Sequence, residues 1–261
     1  MCTATLCEGG AACKARGQCL LGPAENGLMV PDKPEANVAT HQEIAQVSDQ
    51  ELLDRMVSSH AGRFDEAFWG YFGQYVAPVL PDVPSIADIG CGPGLLLRDL
   101  SIRYPAARLI GIDVTPAMID YAKALEYDGD TPQYHLCDIS ENNMPLEDGS
   151  IDLLSMVAVF HVLSDPLAVS RKIQQALAPG GLFLLQDWVR TPLEVYMSRM
   201  TDDLPPPALQ AARERLLRLF PTHNKYTTSD WLWLLDLAGF EVIDYRELNS
   251  PSFRTFVCRA A

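Results

Sequence analysis

Hydrophobic positions follow two rhythms along most of this chain, a short apolar run and then apolar residues at helical spacing, and the alternation starts at Ser85. Ile86, Ala87 and Ile89 form a buried-strand run around Asp88. Gly90, Gly92 and Gly94 then make a turn, and Leu95-Leu96-Leu97-Arg98-Asp99-Leu100 opens a helix. Arg108 to Asp113 predicts a second strand. Thr115 as cap, Pro116 at the first helical position and a face of Met118, Ile119, Ala122 and Leu125 predict the helix after it. Gln133 to Asp138 and Asp148 to Met156 read as strands three and four. A helix then runs to Leu177, and Ala178-Pro179-Gly180-Gly181 stops it before strand five, Leu182 to Leu185. After a helix from Thr228 to Ala238, capped by Gly239, the runs from Phe240 to Ile243 and from Phe253 to Val257 read as an antiparallel closing pair. The expected fold class is α/β: a seven-stranded, mostly parallel sheet with helices on both faces and an antiparallel last strand.

Two stretches fall outside this rhythm. Ser48-Asp49-Gln50-Glu51 is a capping-box pattern, and Leu52, Leu53, Met56 and Val57 share one helical face, so a helix is expected from about 49 to 59. Phe64, Phe68, Phe72, Tyr75 and Val79 recur at helical spacing, with Trp69 and Tyr71 on neighbouring faces. They predict a second, aromatic helix to about Val76, and with the first it forms an N-terminal helical cap over residues 41–82. Residues 190–226 are a helical insertion that breaks at Pro205-Pro206-Pro207. Leu209, Ala212, Leu216 and Leu219 lie on one side, and Arg213 and Arg215 are read as solvated. The remaining boundaries are a flexible, cysteine-containing tail over residues 1–40 and a catalytic domain over 83–261.

Length and charge narrow the function. The 261 residues suffice for one α/β domain with extra helices. A net charge of −14 without a Lys/Arg cluster disfavours a nucleic-acid partner. No apolar run approaches the roughly 18 residues of a membrane span, and no leader pattern opens the chain, so a soluble, cytoplasmic monomer or homodimer is expected. Cys2, Cys7, Cys13 and Cys19 are spaced C-x4-C-x5-C-x5-C among glycines and prolines, looser than paired zinc hooks, and no metal is expected.

The chemistry gathers at strand ends. Asp88, Asp113 and Asp138 close the first three strands, which puts three carboxylates along the sheet edge where ligands of such folds bind. An acid some two dozen residues past a glycine turn suits the two hydroxyls of a ribose. Asp138 can take an adenine amino group, and Val114 and Met118 would flank the ring. A dinucleotide site wants G-x-G-x-x-G, and here the third glycine comes one residue early, so a nicotinamide-dependent oxidoreductase is the weaker alternative.

Acid-x-Gly-x-Gly-x-Gly from Asp88 to Gly94 resembles motif I of class I S-adenosylmethionine (SAM)-dependent methyltransferases, of the small-molecule, type 11/25-like kind. Phe160-His161-Val162-Leu163-Ser164-Asp165-Pro166 is similar to the family's Leu-His-His-Leu-x-Asp-Pro segment with one histidine missing, and Ala238-Gly239-Phe240 looks like the family too. The resemblance implies a Rossmann-like domain that binds SAM through Asp88, Gly90, Cys91, Gly92, Gly94, Asp113, Val114, Met118, Asp138, Ile139 and Met156. It implies methyl transfer to an oxygen, nitrogen or sulfur of a small molecule, with His161 as the candidate proton acceptor and Trp69, Tyr71, Asp187 and Trp188 as pocket residues. Non-methylating chemistry on SAM in the same fold stays open.

Overall fold

The computed structural model describes residues 40–141, 144–201 and 204–260, all within the unit Ala36–Ala261. The tail reading of residues 1–39, with its four cysteines, and the loop positions Asn142 and Asn143 lie outside the described residues.

The seven strands of the described residues form one sheet in the order β3-β2-β1-β4-β5-β7-β6. They are β1 Ser85–Ile89, β2 Arg108–Asp113, β3 Gln133–Leu136, β4 Ile151–Val157, β5 Leu177–Trp188, β6 Phe240–Arg246 and β7 Phe253–Ala260. Every pairing is parallel except those of β7, which runs antiparallel to both β5 and β6. The order reverses direction between β1 and β4, which opens a crevice at their carboxyl ends.

Period-two alternation gives the central strands β1 and β4 two buried faces. Ala87 and Ile89 of β1 pack with α6 (Pro166–Ala176) and α9 (Thr228–Leu237), and Ile86 packs with α3 (Glu66–Tyr75), α4 (Leu95–Arg103) and α5 (Pro116–Lys123). Trp231 of α9 anchors the first face. It is fully buried, stacks on Phe160 with ring centroids 5.2 Å apart and donates its indole N–H to the Trp188 carbonyl at 2.9 Å. The remaining helices, α1 (His41–Ala45), α2 (Asp49–Arg63), α7 (Leu193–Thr201) and α8 (Pro206–His223), pack beside the carboxyl edge of the sheet, with α8 against both α1 and α7.

Local chemistry moves several predicted boundaries. α2 continues past the expected residue 59 to Arg63, and Ser48 does accept the Glu51 N–H, but the Glu51 carboxylate turns to Arg55 at 2.5 Å instead of closing the capping box. β3 ends at Leu136, so Cys137 and Asp138 stand just beyond it. β5 starts at Leu177 and passes through Pro179-Gly180-Gly181, which the sequence reads as a break. Ile151 pairs with Leu177 and Leu153 with Leu182, so the intervening residues bulge out of the ladder, with Gly180 at φ 82°. α1 was not foreseen, although Thr40 and Glu43 form the capping box that starts it.

The register also buries a carboxylate. Asp88 stands between Gly111 and Ser155, is 3% exposed, and accepts the Ser155 hydroxyl at 2.6 Å. Burial pushes its carboxyl up to about 7 against the pull of that hydrogen bond.

Two outcomes are expected. Trp231→Ala should cost about 3–5 kcal/mol through the cavity and the stranded Trp188 carbonyl, read as a lower urea midpoint with unchanged slope. A carboxyl whose folded value lies above its unfolded one stabilises the fold at low pH and loses that contribution as pH rises. Asp88 should therefore weaken the fold between about pH 4 and pH 7, and Asp88→Asn should flatten the stability profile across that window. Equal slopes in the two proteins would contradict the assignment.

Candidate active site

The glycine turn is the floor of the site. Gly90, Gly92 and Gly94 have φ of 67°, 51° and 72°, a region L side chains avoid, and a Cβ at Gly90 would stand 2.1 Å from the Val159 side chain. Gly94 caps α4, so the first free N–H groups of that helix face the turn. Asp113, at the end of β2, holds the turn from the side. One of its carboxylate oxygens accepts the Gly92 N–H at 2.8 Å and the other accepts the Thr115 N–H at 2.9 Å. Burial pushes this carboxyl up, opposed by those N–H groups. Asp138 is set in the same manner by the Ser140 N–H at 2.8 Å.

A cavity of about 790 Å³ opens above the turn, in the range of small-molecule and cofactor sites. Gly90, Asp113, Val114, Met118, Asp138 and Ile139 line one part of it. Gln186, Trp188, His41 and His223 line another, together with Arg55, Arg63 and Arg215 from the covering helices. Ala158, which follows β4, also lines the cavity and holds φ at 57°, an uncommon conformation that marks a constrained point in the wall.

The histidine part of the cavity is a connected cluster. Asp187 is fully buried and accepts the His161 Nδ1 at 2.7 Å, the His161 backbone N–H at 3.2 Å and the Trp188 N–H at 2.6 Å. His223 stacks on Trp188 at 3.8 Å, its Nδ1 shares a hydrogen bond with the Tyr196 hydroxyl at 2.7 Å, and its Nε2 lies 2.6 Å from the Nε2 of His41. Desolvation lowers His41 to about 3, with His161 and Arg63 adding to the effect, and lowers His223 further below its ordinary value. Burial holds both rings toward the neutral form. Among the described residues, His161 Nε2, Gln186 Oε1 and Trp188 Nε1 are buried without a hydrogen-bond partner.

The structure places the sequence-derived candidates unevenly. Gly90, Asp113, Val114, Met118, Asp138, Ile139 and Trp188 are in the cavity wall. Asp88 and Cys91 instead line a small pocket of about 40 Å³ on the α4 side of the turn, and Gly92 and Gly94 shape the loop without lining the large cavity. Met156 is buried in the core between Ile89 and Leu185, because its position in β4 points it away from the crevice. Trp69 and Tyr71 also lie outside the cavity wall. Trp69 packs in the aromatic cluster of α3 under the Arg103 guanidinium, 3.4 Å from its ring, and Tyr71 is buried against Tyr75. α3 packs on the sheet face it shares with α4 and α5, and α1 and α2 supply the cavity wall expected of α3. His161 is 1% exposed and is not in the wall; it meets the cavity through His41 and His223, with ring centroids 5.2 and 5.1 Å away. Arg215, read as solvated, lines the cavity, whereas Arg213 is exposed.

Four wall residues carried no signal in the sequence reading: His41, Arg55, Arg63 and His223. Only His41 had a usable sign, the Thr40–Glu43 capping box beside it. His41 and His223 are 182 positions apart, so no spacing rule joins them.

Comparison with known proteins agrees with this geometry. The family model described as a methyltransferase domain matches residues 87–185, which run from β1 through β5. Trans-aconitate 2-methyltransferase from Escherichia coli is 36% identical over 107 residues, covering 41% of this chain and 40% of that protein. Malonyl-[acyl-carrier protein] O-methyltransferase from Legionella pneumophila is 29% identical over 99 residues, covering 38% and 34%. The chain thus matches two fifths or less of the length of these curated relatives. A SAM-dependent methyltransferase structure from Aquifex aeolicus superposes with a TM-score of 0.58 at 18% identity, over 82% of this chain and 99% of that one. With the glycine turn, the strand-end acids and the strand order agreeing, residues 87–185 match a methyltransferase domain, and the sheet around them has the fold of the SAM-dependent methyltransferase structures.

Proposed function

We propose that this protein transfers a methyl group from SAM to an oxygen, nitrogen or sulfur atom of a small, anionic acceptor. One observation carries the reading: a single cavity joins the glycine turn and its two acids to a wall of histidine, tryptophan and arginine. The residues suit SAM. Asp113 has oxygens turned to the cavity edge for the ribose hydroxyls, Val114, Met118 and Ile139 offer apolar contact to adenine, and Asp138 accepts from its amino group. The turn has no side chain where the methionine end approaches.

The bound sulfonium supplies an electrophilic methyl group. Displacement at that carbon needs the acceptor held in line and water kept away, and the chain's residues are suited to both. Helices α1, α2 and α8 act as cover. Arg55, Arg63 and Arg215 give a protein of net charge −14 a cationic wall, fit for the cofactor's carboxylate and for a negatively charged acceptor. Gln186 Oε1 and Trp188 Nε1, buried and unpartnered, offer an acceptor and a donor to a polar ligand. The O-methyltransferase name of the Legionella relative is consistent with oxygen as the receiving atom.

Calorimetry should show binding of SAM and S-adenosylhomocysteine (SAH) and none of NAD. Asp113→Ala should weaken SAM by about 1.5–3 kcal/mol, the value of charge-assisted bonds to the ribose. A folded Asp113→Ala protein with unchanged affinity would remove Asp113 from the site. Incubation with methyl-labelled SAM and pooled small metabolites, read by mass spectrometry, should yield labelled acidic products. Labelled neutral amines alone would overturn the anionic assignment.

A further inference from the structure

His41, His161 and His223 come from three separate parts of the chain, the first turn of α1, the 3-10 turn Phe160–Val162 after β4, and the last turn of α8. One ring nitrogen from each lies within 4.8 Å of those of the other two. Their hydrogen bonds do not close among themselves. The His161 Nδ1 is taken by the Asp187 carboxylate, and its Nε2 is buried with no partner among the described residues. His223 has its Nδ1 on the Tyr196 hydroxyl, and its Nε2 shares one proton with the Nε2 of His41. Hydrogen bonds within the cluster leave one of three inward nitrogens unsatisfied; a cation in the middle would satisfy all three.

We propose that His41, His161 and His223 bind one late first-row divalent metal ion, with zinc as the reference case, and that its open position faces the cavity to take the acceptor's heteroatom. Three imidazoles plus an open position is the ligand set of catalytic zinc sites. The orientation is already built. A carboxylate on the far nitrogen of His161 and a hydroxyl on that of His223 are the outer partners that fix metal-binding imidazoles. Imidazole nitrogens on a tetrahedral zinc stand roughly 3.3 Å apart, from bond lengths of about 2.0–2.1 Å. The observed spacings, 2.6 Å for His41–His223 and at most 4.8 Å for the rest, bracket that distance. Buried Asp187 offsets part of the cation's charge against the repulsion of Arg63, which would in turn attract an anionic acceptor.

The acceptor role rests on the methyl-transfer reading; the metal site does not. In it, an acceptor O–H or S–H binds the metal and releases its proton to water. The heteroatom's lone pair then forms the bond to the methyl carbon, the carbon–sulfonium bond breaks, and its electron pair stays on sulfur, which departs as the neutral thioether SAH. His161 is in this account a metal ligand and not a general base.

The test uses the full chain with Cys2, Cys7, Cys13 and Cys19 changed to serine, so that tail thiols cannot take up metal, and stripped with a chelator. Zn2+ is titrated against a chromophoric chelator and Co2+ is followed in the visible spectrum, with SAH binding measured on the same samples. The expected result is one equivalent of Zn2+ and the d–d bands of four-coordinate Co2+ without a thiolate charge-transfer band. His161→Gln and His223→Gln should abolish stoichiometric binding, and Asp187→Asn, which keeps its volume, should weaken it about 10–100-fold. No stoichiometric uptake by the unsubstituted cluster, or uptake undiminished in both histidine variants, overturns the site. SAH binding with no metal uptake would sink the metal site alone. Metal uptake without SAH binding would support the site and sink the methyl-transfer reading alone.

Discussion

The hydrogen bond from the Gly92 N–H to the Asp113 carboxylate is the constraint on which the site depends. It ties the turn after β1 to the end of β2, so the backbone of the glycine turn is held by the neighbouring strand. Three glycines at positive φ would otherwise leave this turn with many conformations, since glycine loses the most freedom on folding. The bond, the close contact of Gly90 with Val159, and Gly94 at the start of α4 select one of them. The surviving conformation aims N–H groups and a carboxylate at a single crevice.

The crevice exists because the strand order reverses between β1 and β4. Their carboxyl ends diverge there, and Ala158, in a left-handed conformation directly after β4, carries the chain round the opening. Asp187 at the end of β5 then does for the histidine part of the cavity what Asp113 does for the turn. Its two oxygens take three donors, from the His161 ring, the His161 backbone and the Trp188 backbone. A carboxylate removed from water is tolerable when donors surround it, and those donors become positioned in the process. His161 is oriented by a buried acid, and Trp188 in turn gives His223 a face to stack on.

The cover is assembled from distant segments by weaker forces. α1 is only five residues long and would not hold as an isolated helix; its Thr40–Glu43 box and its packing on α8 keep it in place. The Arg218 guanidinium donates to the Ala45 carbonyl, and the His41–His223 contact adds a second link between the same helices. Closure over the cavity therefore depends on polar contacts between cap and insertion, while the sheet beneath depends on apolar burial. Such a division suits a site that must admit and release ligands.

Much of this protein was legible in the chain before folding. Strand and helix periods are local, so the seven strands, the glycine turn and the acid at Asp113 could be read from neighbours in sequence, although β3 stops two residues before Asp138 and β5 starts before Leu182. The bulge at Pro179-Gly180-Gly181 could not be read, because proline and glycine break a helix in isolation but are accepted by a ladder whose partner strand tolerates extra residues. The chemistry of Trp69 and Tyr71 points toward the pocket, yet the face on which α3 packs decides what its aromatics touch, and that is the face it shares with α4 and α5. The histidine cluster is wholly tertiary. His41, His161 and His223 share no spacing, and only His161 stands in a recognisable segment; the chain reversal through α8 and the docking of α1 bring their nitrogens within 4.8 Å. Sequence determined the sheet and its ligand edge through local periodicity, and only long-range packing decided which side chains close over that edge.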